Sequence, residues 1–218
     1  GYVVADVVIC PSQHSASIMS SYGCRNIVVI PHGVDLPDYV APLPSLFTVG
    51  YLGSYGCDKG VVDILKAWNK LNYKDAVLLL AGRDSTSPWV QYLIQRYGGG
   101  NIHLLGWVED VSNFYNQINV LIQASRSEGF GCEVLESMAH ARPVICSTGA
   151  GACDVVPEGW DFPAGDVDKL AELIDNTRYL WKRMDGEQFR NEARKFSWPI
   201  IRQRYIDVWK ELLNGKNT

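Results

Sequence analysis

What these 218 residues lack narrows the field first. No apolar run approaches the roughly 20 residues that a membrane-spanning helix needs. The opening GYVVADVVICP (1–11) is apolar but too short, and it lacks the basic leader of a signal peptide. Basic residues are outnumbered by acidic ones, 20 against 24, for a net charge of −4. That balance argues against a broad basic face and so against nucleic acid as a partner. The four histidines are scattered, and the six cysteines (10, 24, 57, 132, 146 and 153) form no CxxC pair. A zinc site is therefore not expected, and a disulfide framework is not expected in so large a chain. The simplest expectation is reduced, mostly buried thiols in a cytoplasmic protein. Internal repeats, low-complexity tracts and a completed G-x-G-x-x-G are all absent. The first residue is Gly1 and not Met, as in a chain that has been processed, tagged or cut from something longer.

What is present is a hydrophobic fraction of 47%, enough for a real core, in a regular order. Apolar runs at 5–10, 26–31, 46–53, 76–82, 101–108, 119–125 and 143–147 read as strands. Helical patterns read at 15–23, 59–71, 88–97, 111–118, 132–141, 166–180 and within 196–214. A Pro-rich connector, HGVDLPDYVAPLP, fills 32–44. Strand–helix alternation with near-continuous Val/Ile/Leu strands predicts an α/β fold, a doubly wound parallel sheet of Rossmann-like type covered on both faces. With the common 3-2-1-4-5-6 strand order, the first and fourth strands of the main series flank the switch point, where ligands bind beyond the carboxyl ends. The loops after those strands, GSYGCDKG (53–60) and SRSEGFGCE (125–133), are then neighbours.

Each loop carries residue types suited to a phosphorylated ligand. In the second, Gly129 and Gly131 permit a tight turn and close approach, and the helix that follows offers free N–H groups and a positive dipole end. Glu136, a turn into that helix, leans back toward the N-terminus and suits hydroxyls such as a ribose diol. Glu128 precedes the turn and suits hydroxyls on the other side. Taken alone, the E-x7-E spacing reads better as a surface loop with two solvated acids. In the first loop Gly53, Ser54 and Gly56 lead to Lys59, expected at a helix N-terminus. A lysine there opposes the dipole, which a bound diphosphate would explain; a solvated lysine in an exposed turn is the plain alternative.

The run E-G-F-G-C-E-V-L-E-S-M-A-H-A-R-P-V-I (128–145) resembles the signature of the group 1 retaining glycosyltransferases of GT-B fold. IPHGVD (30–35) resembles that family's interdomain connector, YLGSYGCDKG (51–60) its phosphate loop, HLLGWVED (103–110) its base-binding segment and FSW (196–198) its closing helix. The resemblance covers nearly the whole chain in order. It implies the tail of an N-terminal domain plus connector over 1–45, a nucleotide-sugar-binding domain over 46–195 and a closing helix over 196–218. It implies that Glu128 contacts the donor sugar as the catalytic carboxylate and that Glu136 takes the ribose hydroxyls. Gly53, Ser54 and Lys59 would face the diphosphate and Val108 the base, while backbone N–H groups around Phe130, Gly131 and Cys132 would hold sugar hydroxyls and phosphate.

The expected activity is transfer of a hexose from a nucleotide-diphosphate sugar to a sugar or lipid-linked acceptor, with no cofactor and no metal. The expected partner is an N-terminal acceptor-binding half or partner chain, through which any peripheral membrane association would come. Two departures stand out. Ser54 occupies a position where the family often has Arg, with Arg83 or Arg126 as possible replacements. Asp154, in GAGACD (149–154), stands where the family has Glu. Three other readings compete. A non-catalytic nucleotide-sugar-binding subunit or sensor is the strongest of them. A dinucleotide-dependent dehydrogenase would rest on Gly149-Ala150-Gly151. A metal-dependent transferase would rest on Asp166 and Asp168, although Asp166 reads better as a helix N-cap. Trp68, Trp181 and Trp209 are expected to pack helices, His140 to lie on an outer helix face, and Ile201, Tyr205 and Trp209 to leave an exposed patch.

Overall fold

A computed structural model describes residues 5–215; residues 1–4 of the opening run and 216–218 of the closing segment lie outside the described residues. Two short parallel strands, β1 (Val8–Cys10) and β2 (Ile27–Val29), bracket helix α1 (Gln13–Ser21). Ser12 caps α1 by accepting from Ser15 N at 3.0 Å, which starts the helix two residues earlier than the pattern predicts. The connector then leads to a six-stranded sheet: β3 (Phe47–Leu52), β4 (Ala76–Ala81), β5 (Ile102–Gly106), β6 (Val120–Gln123), β7 (Val144–Ser147) and β8 (Asp161–Phe162). Every pairing is parallel and the order is β5-β4-β3-β6-β7-β8. That is the expected 3-2-1-4-5-6 arrangement, with the switch point between β3 and β6.

The inner strands β3, β4, β6 and β7 are buried on both faces because helices cover both, whereas edge strand β5 leaves His103 and Leu105 exposed. Helices α2 (Val61–Leu71), α3 (Pro88–Tyr97) and α6 (Val167–Leu180) enclose one core, in which Leu78, Leu80, Val49 and Ile122 meet Ile64, Leu65, Trp68 and Ile174. Helices α4 (Val111–Asn116), α5 (Cys132–Ala139) and α7 (Glu187–Arg194) enclose the other, in which Leu79, Leu121 and Val144 meet Tyr115, Leu135, Met138 and Phe189. Helix α8 (Trp198–Gly215) follows and is tied to the connector: Val34 N donates to Phe196 O at 2.9 Å and Trp198 N to Val34 O at 3.3 Å.

Several elements depart from the sequence pattern. β8 is two residues long with one apolar side chain, too short to show a period. α7 is polar apart from Phe189 and Ala193, which it buries against α5, so hydrophobic patterning does not reveal it. His140 does not lie on an outer face. It ends α5 buried at 5% exposure, its ring 4.9 Å from that of Tyr115, because the chain turns back under α4 there. Of the three tryptophans, Trp68 is in the core and Trp181 packs on Phe47, but Trp209 is exposed. Of the patch expected on the closing helix, Ile201 is fully buried and only Trp209 stays largely open.

Candidate functional site

The two distinctive loops meet at the carboxyl edge of the sheet. Arg126 N donates to Asp58 O at 2.6 Å, and Gly60 packs so closely on the Ala124 carbonyl that a Cβ would lie 2.0 Å from its oxygen. Gly60 has φ +69 and starts α2 only at Val61. Lys59 therefore sits not on an α-helix N-terminus, as the sequence suggests, but in a single 3-10 turn (Cys57–Lys59) before it. Its side chain crosses to the other loop, where Nζ donates to Glu128 Oε2 and lies 3.4 Å from Asp58 Oδ2. Burial by itself would lower the Lys59 pKa, but the Glu128 hydrogen bond and the charges of Glu128 and Asp58 outweigh it and leave the ammonium more stable than usual.

The loop carrying Glu128 is clamped from behind. Glu128 N donates to Gly149 O and Gly151 N to Glu128 O, both at 3.0 Å, and Ala152 N donates to Phe130 O at 2.8 Å. The hydroxyls of Ser12 and Ser15 both donate to Gly129 O at 2.8 Å. The Phe130 ring is buried edge-on against His32, with centroids 5.1 Å apart, which leaves only its backbone to serve a ligand. Gly131 has φ +102 and forms the N-cap of α5 without a side chain, a conformation that favours glycine. Asp154 points away from the site and accepts from Gln13 N at 2.9 Å.

Beside this junction lies a cavity of about 520 Å³, lined by Leu52, Gly53, Ser54, Arg83, Trp107, Val108, Val111, Cys132, Glu133 and Glu136, among others. Its walls come from the ends of β3, β4 and β5 and from the first turns of α5, so strand order alone assembles it. Glu136 is held by Tyr115 Oη, which donates to Oε2 at 2.7 Å. Burial first, and then Glu136, raise the Tyr115 pKa well above its ordinary value, so it remains a donor. The two candidate replacements for a cation at Ser54 behave differently. Arg126 is spent on Asp63, with contacts of 2.7–3.1 Å. Arg83 lines the cavity, lies over the Trp107 ring at 5.5 Å and has no ion pair among the described residues. Lys59, Glu128 and Gly131 thus gather at one junction, with Gly53, Ser54, Val108, Cys132 and Glu136 on the wall of the cavity beside it.

One residue in the cavity escapes the sequence reading. Glu133, in the first turn of α5, receives an N–H from the Gln123 side chain, and burial pushes its carboxyl up to about 7, with its own backbone N–H and Lys59 opposing and Glu128 and Glu136 adding. An acid directly after a glycine turn is the available signal, but it reads as an ordinary first-turn helix acid. The Cys132 thiol is also set by this acidic surrounding: burial and the nearby Glu133, Glu136 and Glu128 push it up to about 11, against the helix dipole.

A model of the family "Glycosyl transferases group 1" matches residues 46–177. The chain is 30% identical over 183 residues to the capsular polysaccharide biosynthesis glycosyltransferase CapM of Staphylococcus aureus, over 79% of this chain and 46% of that protein. It is 25% identical over 217 residues to an uncharacterized glycosyltransferase of Methanocaldococcus jannaschii, over 95% of this chain and 60% of that one. Among solved structures, sucrose-phosphate synthase from Thermosynechococcus elongatus superposes with a TM-score of 0.84 at 24% identity, covering 98% of this chain and 60% of that chain. Anabaena HepE, solved in complex with UDP and glucose, superposes with a TM-score of 0.82 at 21% identity, covering 95% and 64%. The fold is that of the C-terminal, Rossmann-like half of GT-B glycosyltransferases. The chain belongs to the group 1 glycosyltransferases. It spans 60% and 46% of the two curated relatives named here.

Proposed function

We propose that residues 46–195 bind a nucleotide-diphosphate sugar as the donor half of a retaining hexosyltransferase acting on a sugar or lipid-linked acceptor. The observation that carries this reading is the cavity at the sheet's switch point, lined by Gly53, Ser54, Cys132 and Glu136, with the Lys59–Glu128 pair at the adjoining loop junction. A diphosphate there would meet an ammonium and helix N–H groups. A ribose would place its diol on Glu136, oriented by Tyr115. The base would lie between Arg83 and the backbone of Val108. Glu128 would exchange its bond with Lys59 for the hydroxyls of the donor sugar. Residues 1–45 and 196–218 would tie this domain to an N-terminal acceptor-binding half or partner chain, acting on the cytoplasmic side. Any membrane contact in this reading is peripheral and carried by that half; among the described residues no helix is long and apolar enough to cross a membrane. The second reading, a nucleotide-sugar-binding subunit without catalysis, draws on Ser54, which supplies no cation to the phosphate loop.

Removing the Glu136 carboxylate tests the donor site. A charge-assisted hydrogen bond contributes about 1.5–3 kcal/mol, so Glu136→Ala should weaken binding of a nucleoside diphosphate by roughly 10- to 150-fold. The loss should largely disappear with the 2′,3′-dideoxy nucleotide. Calorimetry on both ligands decides it: equal losses would remove Glu136 from the ribose. UDP, GDP and ADP form the panel.

Binding should also be independent of metal, because in this reading Lys59 and the helix dipole take the place of a cation. The described residues hold no group of three or more His, Cys, Asp or Glu side chains placed to take one. The affinity measured with excess chelator should match that measured with added magnesium. A loss in chelator would reassign the phosphate site.

A further inference from the structure

The anion seat at the start of α5 is not open. Glu133 Oε1 takes the amide N–H of Gln123, and the Gln123 amide is locked in that orientation because its own Oε1 accepts from Ser125 N at 2.9 Å. The Glu133 backbone N–H, one of the first-turn groups that a helix N-terminus offers to a phosphate, favours the ionised form of the same carboxyl. It sits beside Gly131, where an added Cβ would lie 3.0 Å from Gln123 Nε2, 3.6 Å from Glu133 Oε1 and 3.7 Å from Glu128 Cγ. Glu133 lines the cavity together with Gly53, Ser54 and Glu136.

We infer that the Glu133 carboxyl group is an internal stand-in for the donor's phosphate, and that a nucleotide-diphosphate sugar binds only after this group has been neutralised by a proton. The inference rests on the donor-site reading above. It gives Glu133 a positioning role that no sequence motif assigns: the residue sets the pH range in which the site accepts a dianion.

The electrostatic surroundings give the direction. Facing Glu133 are Lys59 from the first loop, Glu128 from the second, Glu136 and Cys132 on its own helix, Tyr51 on β3, Tyr115 on α4 and Cys146 on β7. The backbone N–H at Glu133 and the charge of Lys59 favour the ionised form. Burial, Glu128 and Glu136 oppose it and hold the group near 7 in the empty site. A diphosphate brought into contact range adds negative charge, which favours the neutral acid further. Binding therefore takes up a proton. Affinity is flat below pH 7 and falls as pH rises above it, toward about tenfold per unit. The diphosphate bridge of a nucleotide-sugar does not itself titrate in this window.

The test uses the whole chain with UDP-glucose, GDP-mannose and ADP-glucose as probes, from about pH 6 to about pH 8.5. The expected result for the best-binding probe is the profile just described, with close to one proton taken up when calorimetric heats are compared in buffers of different ionisation enthalpy. Glu133→Gln, which keeps an oxygen for both N–H donors, should bind with a flat profile at the affinity of the wild type's acid limb. Glu136→Ala should bind more weakly at every pH yet keep the wild-type slope. Wild-type binding that is independent of pH and takes up no proton overturns the inference alone, as does Glu133→Gln with an unchanged slope. Should Glu133→Gln fail to fold, wild-type proton uptake decides by itself. Failure of all three probes to bind at any pH overturns the donor-site reading and this inference with it.

Discussion

Arg142→Ala should destabilise the domain by about 4 kcal/mol, at the exceptional end for a single substitution. Arg142 is 1% exposed, and its guanidinium sits among backbone carbonyls with no carboxylate partner among the described residues. Nε donates to Tyr115 O at 2.9 Å, and Nη2 donates to Ala41 O at 2.8 Å and to Pro42 O at 3.4 Å. The side chain therefore pins the end of the connector to the end of α4. Burial lowers its pKa to about 10, still far above neutrality, so it stays charged in any ordinary buffer. Truncation leaves three carbonyls without this donor, at about 1–3 kcal/mol for each one that water cannot reach, and a void besides. Arg142→Met should cost less, because it fills the volume and no longer desolvates a charge. For a chain of this size about 2–4 °C of melting temperature goes with each kcal/mol, so the alanine variant should melt roughly 8–16 °C lower. Urea unfolding that gives a loss under about 1 kcal/mol would show that the connector does not depend on this residue. Donor affinity should fall as well, because Tyr115 holds Glu136.

Arg142 also illustrates where legibility in the sequence stops. Strands β3 to β7 announce themselves as apolar runs, their alternation with helices gives a parallel α/β sheet, and the common 3-2-1-4-5-6 order, once adopted, brings 53–60 beside 125–133. The cores on the two faces follow from that. What a one-dimensional pattern does not carry is the partner of a polar side chain. Nothing around residue 142 signals that its guanidinium reaches Ala41, about a hundred positions upstream. His140 reads as an outer-face residue because the helical period places it there, yet the turn that ends α5 folds it under Tyr115. The site divides along the same line. Glu128, Gly131 and Glu136 are legible because their spacing is local to one turn and one helix. The Lys59–Glu128 bond, the Tyr115 hydroxyl beneath Glu136 and the buried Glu133–Gln123 pair each join separate elements, and they emerge only when the sheet assembles. β8 and α7 are missed for a simpler reason: two strand residues and a polar helix give no periodic signal.

Residues 1–218 expressed alone should bind a nucleotide-sugar and transfer nothing measurable. The contacts proposed for the donor come from the two loops, α5 and the segments after β4 and β5, all within residues 46–195, so binding needs no further chain. Transfer needs more: donor and acceptor must be held in near-attack geometry, which can supply about 7–11 kcal/mol of the barrier, a factor of roughly 10⁵ to 10⁸ in rate. In the arrangement the family resemblance implies, the acceptor is positioned by the facing N-terminal half. Among residues 5–45 only β1, α1 and β2 are regular elements beyond the connector, and the Ser12 and Ser15 hydroxyls are turned to Gly129 O to brace the loop. Without the facing wall the donor sugar is open to water, so its contacts add little, and the free nucleoside diphosphate should bind about as well as the sugar-linked one. The Lys59–Glu128 bond sharpens the expectation. With no acceptor-side groups to draw Glu128 toward the sugar, the ion pair should persist in the bound state, so Glu128→Gln, which frees Lys59 and removes a negative charge beside the phosphate, should bind nucleoside diphosphate no more weakly than the wild type. The decisive comparison is calorimetry with nucleotide and nucleotide-sugar beside a glycosyl-transfer assay, run on residues 1–218 alone and on the same residues within a longer polypeptide or with a candidate N-terminal chain. Robust transfer by residues 1–218 alone would mean that this domain holds an acceptor by itself, and the division of labour proposed here would fall.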